Sequence, residues 1–229
     1  MILGLIPARG GSKGVKRKNL VKVGGMPLIQ RTIIAAQNSL MLDKFIVSTD
    51  DKEIANFSKS LNVEVPFMRP RELSKDSTPI IDVLNHTLEF YEKDVIRISA
   101  IVLLQPTSPM RSSIDIDESI AIFKEKNADT VVSVCEVPHQ YTDNSIMKIH
   151  NDGKIIQNFP NAPLRRQDKP IFYARNGPAV LVIKNSVIRS GLLYGRNTYP
   201  YIMSKSNSID IDDYEDLNFA EYLLKKCET

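Results

Sequence analysis

Ile2-Leu-Gly-Leu-Ile-Pro-Ala-Arg-Gly-Gly-Ser-Lys-Gly14 joins a short apolar run to a turn rich in glycine and cations. Ile2–Ile6 has the length and composition of a buried strand, and the glycines after it expose backbone N–H groups and allow the close approach that wrapping an anion requires. The spacing fits neither common phosphate motif. Five residues beyond Gly10, where G-x-x-x-x-G-K-[ST] needs glycine, stands Val15, and G-x-G-x-x-G is absent as well. A P-loop ATPase and a dehydrogenase thereby lose most of their support. Taken alone, the loop reads as readily as a solvated basic turn.

Outward from this stretch, short apolar runs alternate with longer amphipathic ones, as in βαβ units on a mostly parallel sheet. Lys44–Ser48, Ser99–Leu104 and Thr130–Val134 are the next strand candidates. Pro27 suits the first turn of a helix, Asp50 the cap of a second running to about Leu61, and Ser77 or Thr78 before Pro79 the start of a third. Ser112 or Ser113 similarly introduces Ile114–Lys126. After Val137 the rhythm changes. Pro138, Pro160, Pro163 and Pro170 interrupt strand-like pieces, and Asn151-Asp152-Gly153 predicts a hairpin turn between Ile146–His150 and Lys154–Phe159. Regular structure returns at Ala179–Ile183, a helix near Ser186–Leu193, a strand near Tyr201–Met203 and a final helix from about Asp213 to Lys226.

With 229 residues, 42% of them apolar, the chain can bury one large core, and we expect a single domain, 1–229, with a β-rich excursion at about 138–175. A net charge of +3 is too mild for a dedicated nucleic-acid binder. Its distribution is uneven. Arg9, Lys13, Lys16, Arg17, Lys18, Lys22 and Arg31 precede the first acidic residue, Asp43, whereas Asp210, Asp212, Asp213, Glu215 and Asp216 crowd the other end. If the two ends meet, cations for phosphates lie beside carboxylates for a metal. Cys135 and Cys227 fit neither a zinc spacing nor CxxC, and no stretch approaches a signal or membrane-spanning segment. A soluble, cytoplasmic protein without membrane or nucleic-acid partners is expected.

Three further constellations bear on the opening loop. Leu104-Gln-Pro-Thr-Ser-Pro-Met-Arg111 follows a buried strand at the sheet's carboxyl edge, where Gln105, Thr107, Ser108 and Arg111 offer directional hydrogen bonds to a polar ligand. In Ser208-Ile-Asp-Ile-Asp-Asp213, alternation sends Asp210 and Asp212 to one side as oxygen ligands suited to Mg²⁺, with Ile209 and Ile211 facing the core. Asp212 or Asp213 reads equally as a helix cap. Leu164-Arg-Arg-Gln-Asp168, with Tyr173 and Arg175 nearby, suits a carboxylated substrate or a surface salt-bridge patch.

Together these residues carry a resemblance. Pro7-Ala-Arg-Gly-Gly-Ser-Lys-Gly14 through Lys18-Asn19, Val47-Ser-Thr-Asp50, Arg69-Pro70, Gln105-Pro-Thr-Ser-Pro109 with Arg111, Arg166-Gln-Asp168, Asn176-Gly177 and Ser208-Ile-Asp-Ile-Asp212 resemble, in order along nearly the whole chain, the acylneuraminate cytidylyltransferases. The resemblance implies a Mg²⁺-dependent transfer of CMP from CTP to the anomeric hydroxyl of an acidic nine-carbon sugar, a Rossmann-like three-layer sheet, and a homodimer formed through the excursion. It implies that Arg9, Ser12, Lys13 and Lys18 hold the triphosphate, that Asn19, Arg69 and Thr78 bind the nucleotide, and that Asp210 and Asp212 hold Mg²⁺. It further implies a sugar-binding set of Gln105, Ser108, Arg111, Arg166, Gln167, Tyr173 and Arg175, with Arg166 the candidate for the sugar's carboxylate. Arg9, Lys13, Lys18, Asp210 and Asp212 would carry catalysis. Lys16 and Arg17 are read as solvated neighbours, and His86, His139 and His150 as structural or solvated.

The chain departs from the sialic acid enzymes at Ala174, where they carry arginine, at Asn176-Gly-Pro-Ala-Val180, where they read Asn-Gly-Ala-Ile-Tyr, and at Ile80, where a serine often stands. The sugar is therefore open between N-acetylneuraminate and a relative of legionaminic acid. Two rivals are a CTP-dependent enzyme for another acidic sugar, such as 3-deoxy-manno-octulosonate, and a non-catalytic nucleotide- or RNA-binding module. Against the module stand the acidic pair and the lack of aromatic residues interleaved with the basic ones.

Overall fold

The structure, a computed structural model, describes residues 1–143, 145–158 and 165–227, with the side chains of Arg166 and Cys227 outside that description. Elements in chain order are β1 (Ile2–Pro7), β2 (Lys22–Val23), β3 (Met26–Pro27), α1 (Leu28–Gln37), β4 (Lys44–Ser48), α2 (Lys52–Ser60), α3 (Ile80–Glu92) and β5 (Ala100–Leu103). They continue with α4 (Ser113–Glu125), β6 (Thr130–Glu136), β7 (Met147–Ile149), β8 (Ile155–Gln157), β9 (Tyr173–Arg175), β10 (Leu181–Lys184), α5 (Asn185–Arg189), β11 (Thr198–Ile202) and α6 (Tyr214–Cys227).

The main sheet has the order β11-β6-β10-β5-β1-β4, with β9 also paired to β6. β1 lies between β4 and β5, parallel to both. Five strands run one way; β10 and β9 run against them. Alternation along each central strand splits the core into two layers. Ile2, Ile6, Val47, Val102 and Val182 pack with Ile29 and Ile33 of α1 and Ile116 and Ile120 of α4. Leu3, Leu5, Ile46, Ile101 and Leu181 pack on the other face with Leu84 and Leu88 of α3 and Ile188 of α5. This is the expected three-layer, Rossmann-like α/β arrangement, and it leaves the loops after β1 and β5 side by side at the carboxyl edge.

Several helix starts differ from the sequence reading. Pro27 flanks α1 as the last residue of β3 instead of occupying its first turn. Asp51, not Asp50, caps α2: its carboxylate accepts from the N–H groups of Glu53 and Ile54. Pro79 precedes α3, and no side chain caps it, the Thr78 hydroxyl donating backwards to the Glu72 carbonyl. Ser112 forms a full capping box with Asp115 at α4. At α6 the cap is Asp213, which accepts from Glu215 and Asp216.

The excursion contains the expected hairpin, β7 with β8, turning at Gly153 with φ of +83°. Its strands are exposed on both faces. Pro160 and Pro163 lie outside the described residues. β9 and β10 follow one edge of β6, at Val134–Glu136 and Thr130–Val132, and between them the chain bulges away from the sheet. Asn176 anchors the bulge: its Oδ1 accepts from the Ser133 hydroxyl and the Ala179 N–H, and its Nδ2 donates to the Ser208 hydroxyl.

Removing the cap of α2 tests this account. Asp51→Ala should lower stability by about 1 kcal/mol, seen as a fall of about 2–4 °C in the thermal unfolding midpoint.

Candidate active site

A cleft of about 390 Å³ opens where the loops after β1 and β5 meet the segment before α6. Each wall has a local cause. The loop after β1 leaves the sheet at Ala8 and is held by three contacts. Gly10 N–H donates to Asp50 Oδ1 at 3.0 Å, Asn19 Nδ2 donates to the Arg9 carbonyl at 2.8 Å, and Val15 is fully buried. Asp50 thus anchors the loop instead of capping a helix. Arg17 adopts a left-handed backbone (φ 54°), and its guanidinium pairs with Glu53 at 2.8 Å and Asp51 at 3.5 Å. It is exposed, as Lys16 is, but it also reaches α2 through these pairs.

The acidic segment forms the facing wall. Ile209 and Ile211 are buried with Val15, Val23, Leu28, Leu217 and Ala220 in a third small core. Ile211 N–H donates to the Thr107 carbonyl at 2.9 Å, tying this wall to the loop after β5. Lys18 Nζ donates to the Ile211 carbonyl at 2.6 Å and lies 3.4 Å from Asp212 Oδ1. At Gly14 the two walls touch: a Cβ there would lie 2.0 Å from the Asp212 carbonyl oxygen, which no side chain permits. The oppositely charged ends of the chain therefore do meet.

Asp210 and Asp212 both line the cleft. Asp210 Oδ1 is buried without a hydrogen-bond partner. Burial pushes the Asp210 carboxyl above its ordinary range, a nearby Thr107 hydrogen bond opposes this, and the Asp212 charge adds to it. A hard oxygen, desolvated and unpaired beside a second carboxylate, is a donor set that fits Mg²⁺, which commonly takes one or two carboxylates plus phosphate oxygens. Among the described residues no group of three or more histidine, cysteine or acidic side chains gathers around one point.

Arg9, Ser12, Lys13, Lys18, Asn19, Arg69, Thr78 and Gln105 also line the cleft. Arg9 and Lys13 both pair with Asp76, Lys13 at 3.3 Å, and the Arg9 hydrogen bond, aided by Lys13, holds the Asp76 carboxyl below its usual range. Arg69 is only 6% exposed; one Nη2–H donates to the Ser48 carbonyl, Nε is unpartnered, and burial lowers its pKa to about 10. Ile80 and Val83 are apolar residues of the same lining.

The expected sugar-binding set is divided. Gln105 faces the cleft, its Nε2 donating to the Gly177 carbonyl at 3.1 Å. Ser108, 1% exposed, and Arg111, 4% exposed, do not reach it. The Arg111 guanidinium donates to the carbonyls of Gln105 and Ala179 and to the Thr32 hydroxyl, and burial lowers its pKa to about 10. It is a brace between the loop after β5 and the bulge after β9, a correction to its reading as a ligand contact. Gln167, Tyr173 and Arg175 are exposed away from the cleft, and Arg175 donates to the Tyr194 hydroxyl. The Arg166 side chain lies outside the described residues. None of the three histidines lines the cleft; His86 packs edge-on to Phe67.

Sequence reasoning missed Asp76, whose partners are far away in the chain and leave no periodic trace. It also missed the architectural use of Asp50. Gly177 it quoted without a role: φ is +116°, and a Cβ there would sit 3.2 Å from both Asp210 Cγ and Ser108 Oγ. A glycine between an asparagine and a proline was the available signal.

Comparison with known proteins gives consistent results. A family model described as Cytidylyltransferase matches residues 3–226. The chain is 32% identical over 228 residues to a CMP-N,N'-diacetyllegionaminic acid synthase of Legionella pneumophila, covering 98% of this chain and 96% of that one. It is 35% identical over 236 residues to an N-acylneuraminate cytidylyltransferase of Streptococcus agalactiae, covering 98% of this chain and 55% of that longer one. The solved structure of CMP:2-keto-3-deoxy-manno-octonic acid synthetase complexed with CTP matches in fold, with a TM-score of 0.72 at 15% identity and 98% of each chain covered.

The buried carboxylate yields a pH-dependent prediction. A carboxyl whose folded-state pKa is raised costs the fold stability when it ionises; the cost is absent below the unfolded pKa and appears as pH rises through the folded one. Asp210→Asn should therefore raise the unfolding midpoint at neutral pH, without metal or nucleotide, by about 2–4 °C, the shift that roughly 1 kcal/mol produces. The gain should shrink as the pH is lowered toward about 4.

Proposed function

Since the chain belongs to the cytidylyltransferase family, we propose that it transfers CMP from CTP to the anomeric hydroxyl of an acidic nine-carbon sugar of the nonulosonic acid class, releasing pyrophosphate. The observation that carries this reading is the closure of Gly14 on the Asp212 carbonyl, which brings the cationic side chains of Arg9, Lys13 and Lys18 into one cleft with the carboxylates of Asp210 and Asp212. The choice of sugar class rests on relatives named for diacetyllegionaminic and N-acylneuraminic acids.

In this reading the sugar oxygen forms a bond to the α-phosphorus as the bond to the bridging oxygen breaks, pyrophosphate takes the leaving electron pair, and the hydroxyl proton passes to solvent water. The transferred group asks the protein for position and charge more than for covalent chemistry. Arg9, Lys13 and Lys18, with Ser12, neutralise the charge gathering on the leaving group. Asn19 acts one step back: its amide is committed to the Arg9 carbonyl and fixes the loop that carries the cations. Arg69 lines the same cleft as Ile80 and Val83, a charged donor and apolar side chains that suit a base. Gln105 faces the acceptor sugar. Asp210 and Asp212 would hold Mg²⁺, which supplies positive charge to phosphate oxygens when bound.

The sugar carboxylate is assigned to Arg166, and the enzyme acts as a homodimer in the cytoplasm. What supports the dimer is the hairpin, which presents Met147, Ile149 and Ile155 to solvent on one face that a partner could cover. Among the described residues no helix is long and apolar enough to cross a membrane.

The decisive assay follows pyrophosphate release from CTP with Mg²⁺ and a panel of acids: N-acetylneuraminate, legionaminic acid derivatives and 3-deoxy-manno-octulosonate. Release is expected with a nonulosonic acid; release with none of them from folded protein would defeat the proposal, and release with the octulosonate alone would reassign the sugar. Asp210→Ala and Asp212→Ala should each lower kcat by roughly a hundredfold or more with the fold retained by circular dichroism.

A further inference from the structure

Three carboxylates line the cleft, and only two belong to the wall that faces the triphosphate cations. The third, Asp76, is paired with Arg9 and Lys13 themselves. It sits at the rim, between the 3-10 turn Arg71–Ser74, which buries no residue, and the start of α3. Its two partners are also substantially exposed, so the pairing is of the weak, readily exchanged kind found in water-accessible ion pairs.

We propose that Asp76 is a resident competitor for the phosphates, a positioning residue that holds Arg9 and Lys13 between turnovers and gives them up to CTP. The inference rests on the assignment of Arg9 and Lys13 to the triphosphate. A carboxylate and a phosphate oxygen make the same charge-assisted contact to a guanidinium or an ammonium. The triphosphate carries more charge than one carboxylate and displaces it. After transfer, pyrophosphate must leave a site whose cations attract it strongly, and Asp76 supplies the alternative partner that keeps those cations paired as it goes. Its effect is to weaken the bound ground states at both ends of the reaction, where excess affinity slows turnover without stabilising the transition state.

The test titrates wild-type protein, Asp76→Asn and the nearby control Glu72→Gln calorimetrically with inorganic pyrophosphate in Mg²⁺ buffer, and then with CTP. Asp76→Asn should bind pyrophosphate roughly fivefold more tightly, while Glu72→Gln stays within about twofold of wild type. In turnover assays the KM for CTP should fall in Asp76→Asn, product pyrophosphate should inhibit more strongly, and Asp76→Glu should restore both toward wild type. Asp76→Ser covers the case in which the asparagine variant fails to fold and carries the same expectation. Unchanged or weaker pyrophosphate binding in Asp76→Asn, against measurable wild-type binding, overturns this inference alone. A wild-type protein that binds neither pyrophosphate nor CTP overturns the assignment of the cations, and this inference with it.

Discussion

The cleft depends on one small apolar contact, that of Val15 with Ile209 and Ile211. These residues stand almost two hundred positions apart, and neither segment belongs to the main sheet. Apolar burial is non-directional, so by itself it would fix proximity and not register. Register comes from hydrogen bonds: Lys18 to the Ile211 carbonyl, Ile211 to the Thr107 carbonyl, and Asp216 accepting from the backbone of Asp212 and Asp213. Burial brings the segments together and the backbone bonds set which carboxylate looks inward. Asp210, held among these contacts, keeps an oxygen that no protein group satisfies.

Behind the cleft, a second set of groups does work that a contact list would assign to ligand binding. Arg111 spends its guanidinium on two carbonyls and a hydroxyl, binding the loop after β5 to the bulge after β9. Asn176 performs the same task toward β6 and the acidic wall. A buried charge is retained at the cost of desolvation, and a chain that accepts that cost gains a loop whose polar face, at Gln105, is held in one place.

Much of the frame was legible in the sequence, because it rests on local rules. Periodicity located β1, β4, β5 and β6 closely, the Ile-Asp alternation placed Ile209 and Ile211 in a core and Asp210 and Asp212 in the cleft, and Asn151-Asp-Gly gave the hairpin. What escaped depends on contacts between distant residues. Asp50 was the cap expected for α2, but its carboxylate accepts from Gly10 in the loop after β1, and Asp51 caps the helix instead. Arg111 looked like a ligand because charge suggests exposure, whereas its burial follows from how α1 and the bulge close around it. Arg17 and Asp76 were opaque for the same reason, their partners being set by tertiary fold. Gln167, Tyr173 and Arg175, expected at the sugar, are exposed and do not line the cleft, which no pattern within the sequence encodes.

The Gly14 contact also bears on how such sequences can drift. Most tight packing can be renegotiated over generations, a larger residue here being offset by a smaller one there. At Gly14 the obstacle is a main-chain carbonyl, the atom that every residue type at position 212 would present in the same place. A change of side chain at Asp212 therefore opens no room for one at position 14. The two positions are coupled in space and yet leave no paired substitutions to find, so the join at the centre of the cleft is invisible to any method that infers contacts from residues that vary together.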